Sequence, residues 1–442
     1  METPAPPTTP IKPFQTRQLI LLGTLAGLGH LNRVAISVAG NEWLIPEVGF
    51  TEIQMGWVYT AFYLTYTLFM LPCGTSIDRW GPARALSAFG LLSGLSVLGM
   101  GLAGWGLTLP ATLLGWLIGL RLLAGVVGTP LHPAAASALT AIQDAGQRIR
   151  ANGIISASAL TGVALAYPIF GLLMDHLGWA VALIICGLSL SMAGAAWWFQ
   201  NRSRPGAAQK TDRVNDSNQP QGQKRQKPEE PADQQLNLSA LLRNRALLLL
   251  GLSYGTFCYF QYLAFFWGNR YLSEILQVPA TSARWLTAAM MAAHGIGMIA
   301  GGYLIPSSSE KGASASGRAR LAMISLVSAA MVGLIAMALH QPIAVITLLS
   351  LSLGALGLSE GIFWTQAADY GGAASGRSAA IMNTWGNLGG LIAPVTAAWL
   401  ASHFGWSVSI AFACLLLLAG ATAWALIGRI TENPQAGACR AQ

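Results

Sequence analysis

Stretches of about twenty mostly apolar residues recur along nearly the whole chain, separated by short polar breaks. They fall at about 17–39, 56–76, 84–104, 110–139, 151–174, 179–200, 246–268, 283–305, 320–339, 342–369, 377–400 and 405–428. Each is long enough to cross a bilayer as a helix. Twelve such spans predict an all-α membrane protein. One long polar segment interrupts them: residues 201–243 are rich in Gln, Lys, Arg, Asp and Pro. That composition predicts a mostly disordered linker. The pattern divides the chain into a tail at 1–16, a six-helix bundle at 17–200, the linker at 201–243, a second bundle at 244–428 and a tail at 429–442. The linker's end, Leu236 to Arg245, is a candidate interfacial helix.

An internal repeat supports the division. A shift of 227 residues pairs Arg150 with Arg377, Gly162 with Gly389, His176 with His403, Gly178 with Gly405 and Trp179 with Trp406. The offset holds across a span and the loop that follows it. Two pseudo-symmetric six-helix bundles around a midplane site are a transporter plan.

Composition agrees with a membrane setting. The chain has 442 residues, 53% hydrophobic and 10% charged, and a mean hydropathy of +0.51, where a soluble domain carries about a quarter charged residues. Its 50 glycines and 15 tryptophans suit close helix packing in lipid and interfacial belts. Twenty-one of the 25 basic residues fall at the chain ends, in the linker or in loops on the same side of the spans. Positive charge collects on the cytoplasmic side, so both termini are expected there, in a multi-pass protein of a bacterial inner membrane. Arg270 and Arg284 land opposite, where the first loop carries Glu42, Glu47 and Glu52. The net charge of +8 belongs to these short loops and does not point to nucleic acid. The five cysteines have no ligand spacing, and neither metal nor cofactor is indicated. No nucleophile–base set suggests an enzyme.

Arg33 and Arg121 sit in mid-span. A guanidinium at that depth is costly and usually marks a pathway or binding site. A fixed cation there points to an anionic solute.

The loop Gly74-Thr-Ser-Ile-Asp78-Arg79-Trp-Gly81-Pro-Ala-Arg84 resembles the signature between the second and third helices of the major facilitator superfamily. The resemblance implies a gating role for Gly74, Asp78, Arg79, Gly81 and Arg84, holding the inner ends of the halves together. An ordinary charged helix cap is the plainer alternative. Further stretches are similar to the anion:cation symporter branch, whose members carry organic anions such as sugar acids. They are Leu31–Ser37, Gly56–Pro72 with Phe62 and Tyr66, Arg121 with Gly125 and Pro133, Trp364, and Asn383–Pro394. The resemblance implies that Arg33 clamps a substrate carboxylate, for which a guanidinium fork is well shaped. It also implies that Tyr66, Trp364, Asn383 and Asn387 line the central cavity, with Thr256 as a further polar contact. Helix packing is the alternative for each. The partners implied are a small anion, a proton or sodium ion and the lipid bilayer, with the protein acting as a monomer.

Departures from the branch concern coupling. Asn32 and Gly128 stand where its proton-coupled members have acids, Arg121 being tied to the same coupling. Glu360 is the one acid well inside a span. It is a candidate proton site, a substrate or cation ligand, or a structural partner. His132 is a second coupling candidate and His294 a third, with neutral packing as the alternative for both. The seventh span has no Arg or Lys, which argues against a two-arginine phosphate clamp. A secondary transporter of a small organic anion is therefore expected, cation-coupled, with uniport or exchange as the alternative and a non-transporting solute sensor as the more distant one.

Overall fold

The computed structural model describes residues 13–106, 109–139, 145–202, 238–304, 315–371 and 375–432. Each predicted span is helical, and the observed ends lie within several residues of the expected ones. The first half comprises Pro13–Ala39, extended by a π-helical turn at Gly40–Leu44, then Glu52–Trp80, Pro82–Gly106, Pro110–Gly128 with Leu131–Leu139, Ala145–Leu165 with Gly171–Leu177, and Trp179–Asn201. The second comprises Arg245–Arg270 extended by Tyr271–Ile275, Ala280–Leu304, Ala315–Ala338, Pro342–Gly357 with Glu360–Gly371, Ser375–Phe404 and Trp406–Glu432. They are called here the first to twelfth spans. The short helix Leu238–Arg243 lies within the segment expected to be interfacial. Most of the predicted linker and both chain ends lie outside the described residues.

Among the described residues, nine helices are long and apolar enough to cross a membrane on those grounds alone. The second, eighth and eleventh spans are as long but more polar. Their packing supplies the reason. The second lies on the eleventh and the eighth on the fifth, across the boundary between the halves. A helix that faces protein on both sides need not be uniformly apolar.

The sequence repeat is a repeat of contacts. A Cβ on Gly162 of the fifth span would sit 2.0 Å from the carbonyl oxygen of Gly27 in the first. A Cβ on its counterpart Gly389 in the eleventh would sit 2.2 Å from the carbonyl oxygen of Gly255 in the seventh. Only glycine permits either approach, which is how small residues bring membrane helices together. Gly178 and Gly405 also match: both have positive φ, 79° and 88°, and both precede a buried tryptophan, Trp179 and Trp406, that opens the next helix.

The fourth and tenth spans are each broken at the same level. The fourth stops at Gly128 and resumes at Leu131; the tenth stops at Gly357 and resumes at Glu360. Interrupted helices at corresponding places in two repeats point to a binding region.

Where the halves meet, polar contacts gather on the face opposite the chain ends, here called distal. Arg284, which the sequence puts at the outer edge of the eighth span, lies one turn inside it and is buried. Its guanidinium takes Asp175 of the fifth span at 2.6 and 2.8 Å and Glu42 of the first-span turn at 2.5 to 3.1 Å. Asn269 also donates to Glu42, at 2.7 Å. Arg270 holds Glu52 at 2.7 Å and reaches the carbonyl of Asn41 at 3.3 Å. The two arginines that broke the charge pattern thus pair with the acidic loop that faced them. Below this layer Tyr59 stacks on Phe266 at 4.8 Å and Tyr63 meets Tyr262 edge-on at 4.7 Å. Polar and aromatic contacts therefore seal the distal ends of the two halves.

Candidate functional site

Arg33 and Arg121 approach each other through one aromatic ring. Each guanidinium carbon lies 4.7 Å from the centre of Phe62. Arg33, half-buried, also stands 5.0 Å from Tyr66 and 6.0 Å from Tyr63. Such faces attract a guanidinium, and the attraction grows where water is excluded. Arg121, 1% exposed, donates Nε to the carbonyl of Val58 at 3.4 Å and Nη1 to the carbonyl of Arg33 at 3.3 Å. None of the ion pairs among the described residues involves either arginine.

Asn32, Arg33, Ser93, Arg121 and Gly128 line one small cavity beside Phe62, with room for about one water molecule. Four buried polar atoms there lack a partner: Asn32 Oδ1, Arg33 Nε, Ser93 Oγ and Arg121 Nη2. Unpaired buried groups cost about 1–3 kcal/mol each, so the site is built to take something polar. The two positions that lack the branch's acids, Asn32 and Gly128, line this same cavity; a Cβ on Gly128 would meet the Phe62 ring at 3.4 Å.

The second half supplies a different cluster. Glu360 Oε1 accepts from the Tyr254 hydroxyl at 2.9 Å and from Trp364 Nε1 at 2.8 Å. Glu360 Oε2 is buried without a partner. Trp364 keeps 40% of its surface exposed. Asn383 and Asn387 stand one turn apart on the eleventh span, half-buried and buried. A Cβ on the neighbouring Gly390 would meet the ring of Tyr262 at 2.7 Å. Tyr63 and Tyr262 connect the two clusters across the seam.

Two expected roles do not match the geometry. Thr256 turns its hydroxyl to the carbonyl of Ser253 at 2.8 Å. It lies against Gly420 of the twelfth span, whose Cβ it would crowd at 2.2 Å, so it is not brought to either cluster. His294 is a buried link: Nδ1 meets the carbonyl of Leu353 at 3.0 Å and Nε2 the amide nitrogen of Gln261 at 2.8 Å. If Nδ1 carries the proton and donates to that carbonyl, Nε2 accepts from the amide. His132 is exposed and meets His30 edge-on at 5.2 Å. Neither His132 nor Glu360 balances Arg121, whose bonds go to backbone carbonyls. From sequence Tyr254 reads only as part of a polar and aromatic face of the seventh span; Phe62, His30 and Arg284 are given no role at the site. The aromatic residues at helical spacing, Tyr59, Phe62, Tyr63 and Tyr66, were the available signal for Phe62.

At the end of the second span away from the distal face, Gly81 (φ 81°) closes the helix by donating its N–H to the carbonyl of Ile77 at 2.8 Å. Arg79 and Arg84 are exposed there. The side chain of Asp78 and that part of the motif around Gly74 lie outside the described side chains.

Residues 22–394 match the Major Facilitator Superfamily profile. The chain belongs to that superfamily. As a member of it the protein is a transporter, not an enzyme, and its relatives lie in the sugar-acid branch. It is 23% identical to the D-galactonate transporter of Escherichia coli O6:H1, over 95% of this chain and 97% of the relative. It is 26% identical to the probable sulfoacetate transporter SauU of Cupriavidus necator, over 89% of each. It is 23% identical to the hexuronate transporter of Bacillus subtilis, over 92% and 91%. Among solved structures, a bacterial homologue of the human lysosomal transporter Spinster, inward-facing and unoccupied, superposes with a TM-score of 0.78 at 16% identity, covering 96% of this chain and 99% of that one. This superfamily member thus shares its fold with that structure and its sequence pattern with carriers of carboxylate and sulfonate solutes.

Proposed function

We propose that the protein carries a small organic anion of sugar-acid type across a bacterial inner membrane by alternating access, as a cation-coupled monomer with both termini cytoplasmic. Arg33 receives the carboxylate. The observation that carries this reading is a half-buried arginine with a buried, unpartnered Nε, held among Phe62, Tyr63 and Tyr66 and in no ion pair among the described residues. An arginine at that depth is expensive, and a bidentate carboxylate is its best partner. Tyr66, Trp364, Asn383 and Asn387 contribute aromatic surface and hydrogen bonds to the solute's hydroxyl groups. The sealed distal ends correspond to an inward-facing arrangement. The signature loop, including Asp78, Arg79 and Arg84, would close the inner ends in the opposite one.

The relatives' solutes define the panel for a test. Purified protein is heated with D-galactonate, L-galactonate, D-glucuronate, galactarate, D-glucarate or sulfoacetate, and with neutral galactose as control. At least one acid should raise the melting temperature while galactose does not, and Arg33→Gln should remove the shift. Equal shifts with galactose, or a shift that survives in the variant, would overturn the role of Arg33.

A further inference from the structure

We propose that Glu360 carries the coupling proton, so that the proton site lies in the tenth span rather than in the first and fourth. The inference rests on the transport reading above and assigns the residue that reading leaves open.

Glu360 is the first residue after the break in the tenth span. Gly128, where the branch has an acid, is the last residue before the matching break in the fourth. The 227-residue shift pairs Glu360 with Pro133 and Gly128 with Ala355, so Glu360 is not the repeat equivalent of Gly128. It sets a carboxylate at the matching interruption of the second half, and the two breaks fall near each other in the internal repeat. Both are points where a helix is interrupted inside the bundle, which is where transporters place ion and substrate groups.

The surroundings of Glu360 suit a proton. One oxygen is held by two neutral donors, Tyr254 and Trp364. The other is buried and unpartnered. Among the described residues it forms no ion pair. From the seventh span it faces Tyr254 and Cys258. The eighth carries His294, whose ring nitrogens are committed to Gln261 and the carbonyl of Leu353. The ninth carries Arg318, which binds Asp369 and Gln366. The eleventh presents Gly386 to Tyr254, and its Arg377 and His403 are exposed. The residue itself is half-buried, and a carboxylate with one oxygen buried and unpartnered is favoured either protonated or beside a cation. The helix N-terminus beneath it favours the ionised form, so both states are within reach. Protonation converts the carboxylate to a neutral acid whose new O–H sits on the unpartnered oxygen; release returns that proton to water on the other side. Oε1 keeps both donors throughout, so Trp364 senses the change directly.

The test has two arms on the full chain in liposomes. Infrared difference spectra taken across a pH titration, without substrate, should show a protonated-carboxyl band that is absent in Glu360→Gln. In the transport arm, the probe is whichever acid of the panel stabilises the wild type. An imposed gradient of one pH unit should drive up to about tenfold accumulation at one proton per monovalent anion. Glu360→Gln should lose that accumulation while the acid still raises its melting temperature. A titrating band that persists in the variant, or pH-driven accumulation that survives it, overturns the assignment of Glu360. A wild type driven by no pH gradient, yet competent in exchange, overturns proton coupling itself. Absence of any uptake or stabilisation by the panel would instead count against the organic-anion reading and leave the infrared arm to decide on Glu360.

Discussion

Arg284 of the eighth span holds Glu42 of the first-span turn with both Nε and Nη2, at 2.5 to 3.1 Å, across the boundary between the two halves. The same guanidinium binds Asp175 on the fifth span, so one side chain ties three spans at the distal face. Glu42 is 7% exposed in this pair, which makes its carboxylate dependent on the arginine.

Arg284→Gln should therefore open the distal side. Removing one partner of a buried pair costs about 3–5 kcal/mol, and that cost falls on the distal-closed state alone. A change of that size shifts a two-state population by more than about a hundredfold. Spin labels at exposed Glu47 and Gln277, on opposite halves of that face, should move apart in the variant. An unchanged distance distribution would show that the lock does not hold the distal ends.

Asn32→Asp should raise the melting temperature. The new carboxylate would stand in the cavity where Arg33 Nε and Arg121 Nη2 lack partners, and satisfying buried charged groups contributes about 1.5–3 kcal/mol per hydrogen bond. Thermal unfolding of the purified variant checks this. A lower melting temperature would mean that the cavity already holds a counter-charge.

Gly162→Leu and Gly389→Leu should be damaging to a similar degree, because each side chain would collide with a backbone carbonyl at the matching helix contact. Overpacking costs typically about 1–3 kcal/mol, and backbone on the far side has little room to yield. Parallel melts of both variants test the equivalence of the halves. Damage confined to one would argue against the repeat of contacts.

Thr256→Val should cost about 0.5–1.5 kcal/mol of stability, the worth of one hydrogen bond, and leave the affinity for the stabilising acid within about twofold of wild type. The hydroxyl serves its own helix turn and packs on the twelfth span. Isothermal titration of the stabilising acid measures the affinity. A tenfold loss would return Thr256 to the solute's surroundings.

Much of this was legible in the chain. Span positions follow from hydropathy, and the signature at Gly74–Arg84 and the pairing of Gly162 with Gly389 point to two bundles before any coordinates. Facing was harder to read. In the seventh span Tyr254 and Thr256, two apart, lie on different helix faces. With polar side chains at 253, 254, 256, 259, 261 and 262, however, the sequence does not say which face meets the cavity. The structure places Thr256 against the twelfth span and Tyr254 on Glu360. The lock was hidden for a different reason. Arg284 and Glu42 are 242 residues apart, and each alone reads as a surface charge at a span end. Phe62 was visible as a matching position, but its place between two guanidiniums depends on how the second span turns toward the fourth. The break before Glu360 has no proline to announce it, unlike Thr129-Pro130 in the fourth span.

Counterflow uptake in proteoliposomes tests the central claim most directly. Vesicles loaded with the unlabelled stabilising acid should take up the same labelled acid, driven by the outward gradient of the unlabelled one, and Arg33→Ala should abolish that uptake. Uptake by Arg33→Ala at the wild-type rate would contradict the account, because the anion would then be bound without the guanidinium assigned to hold it.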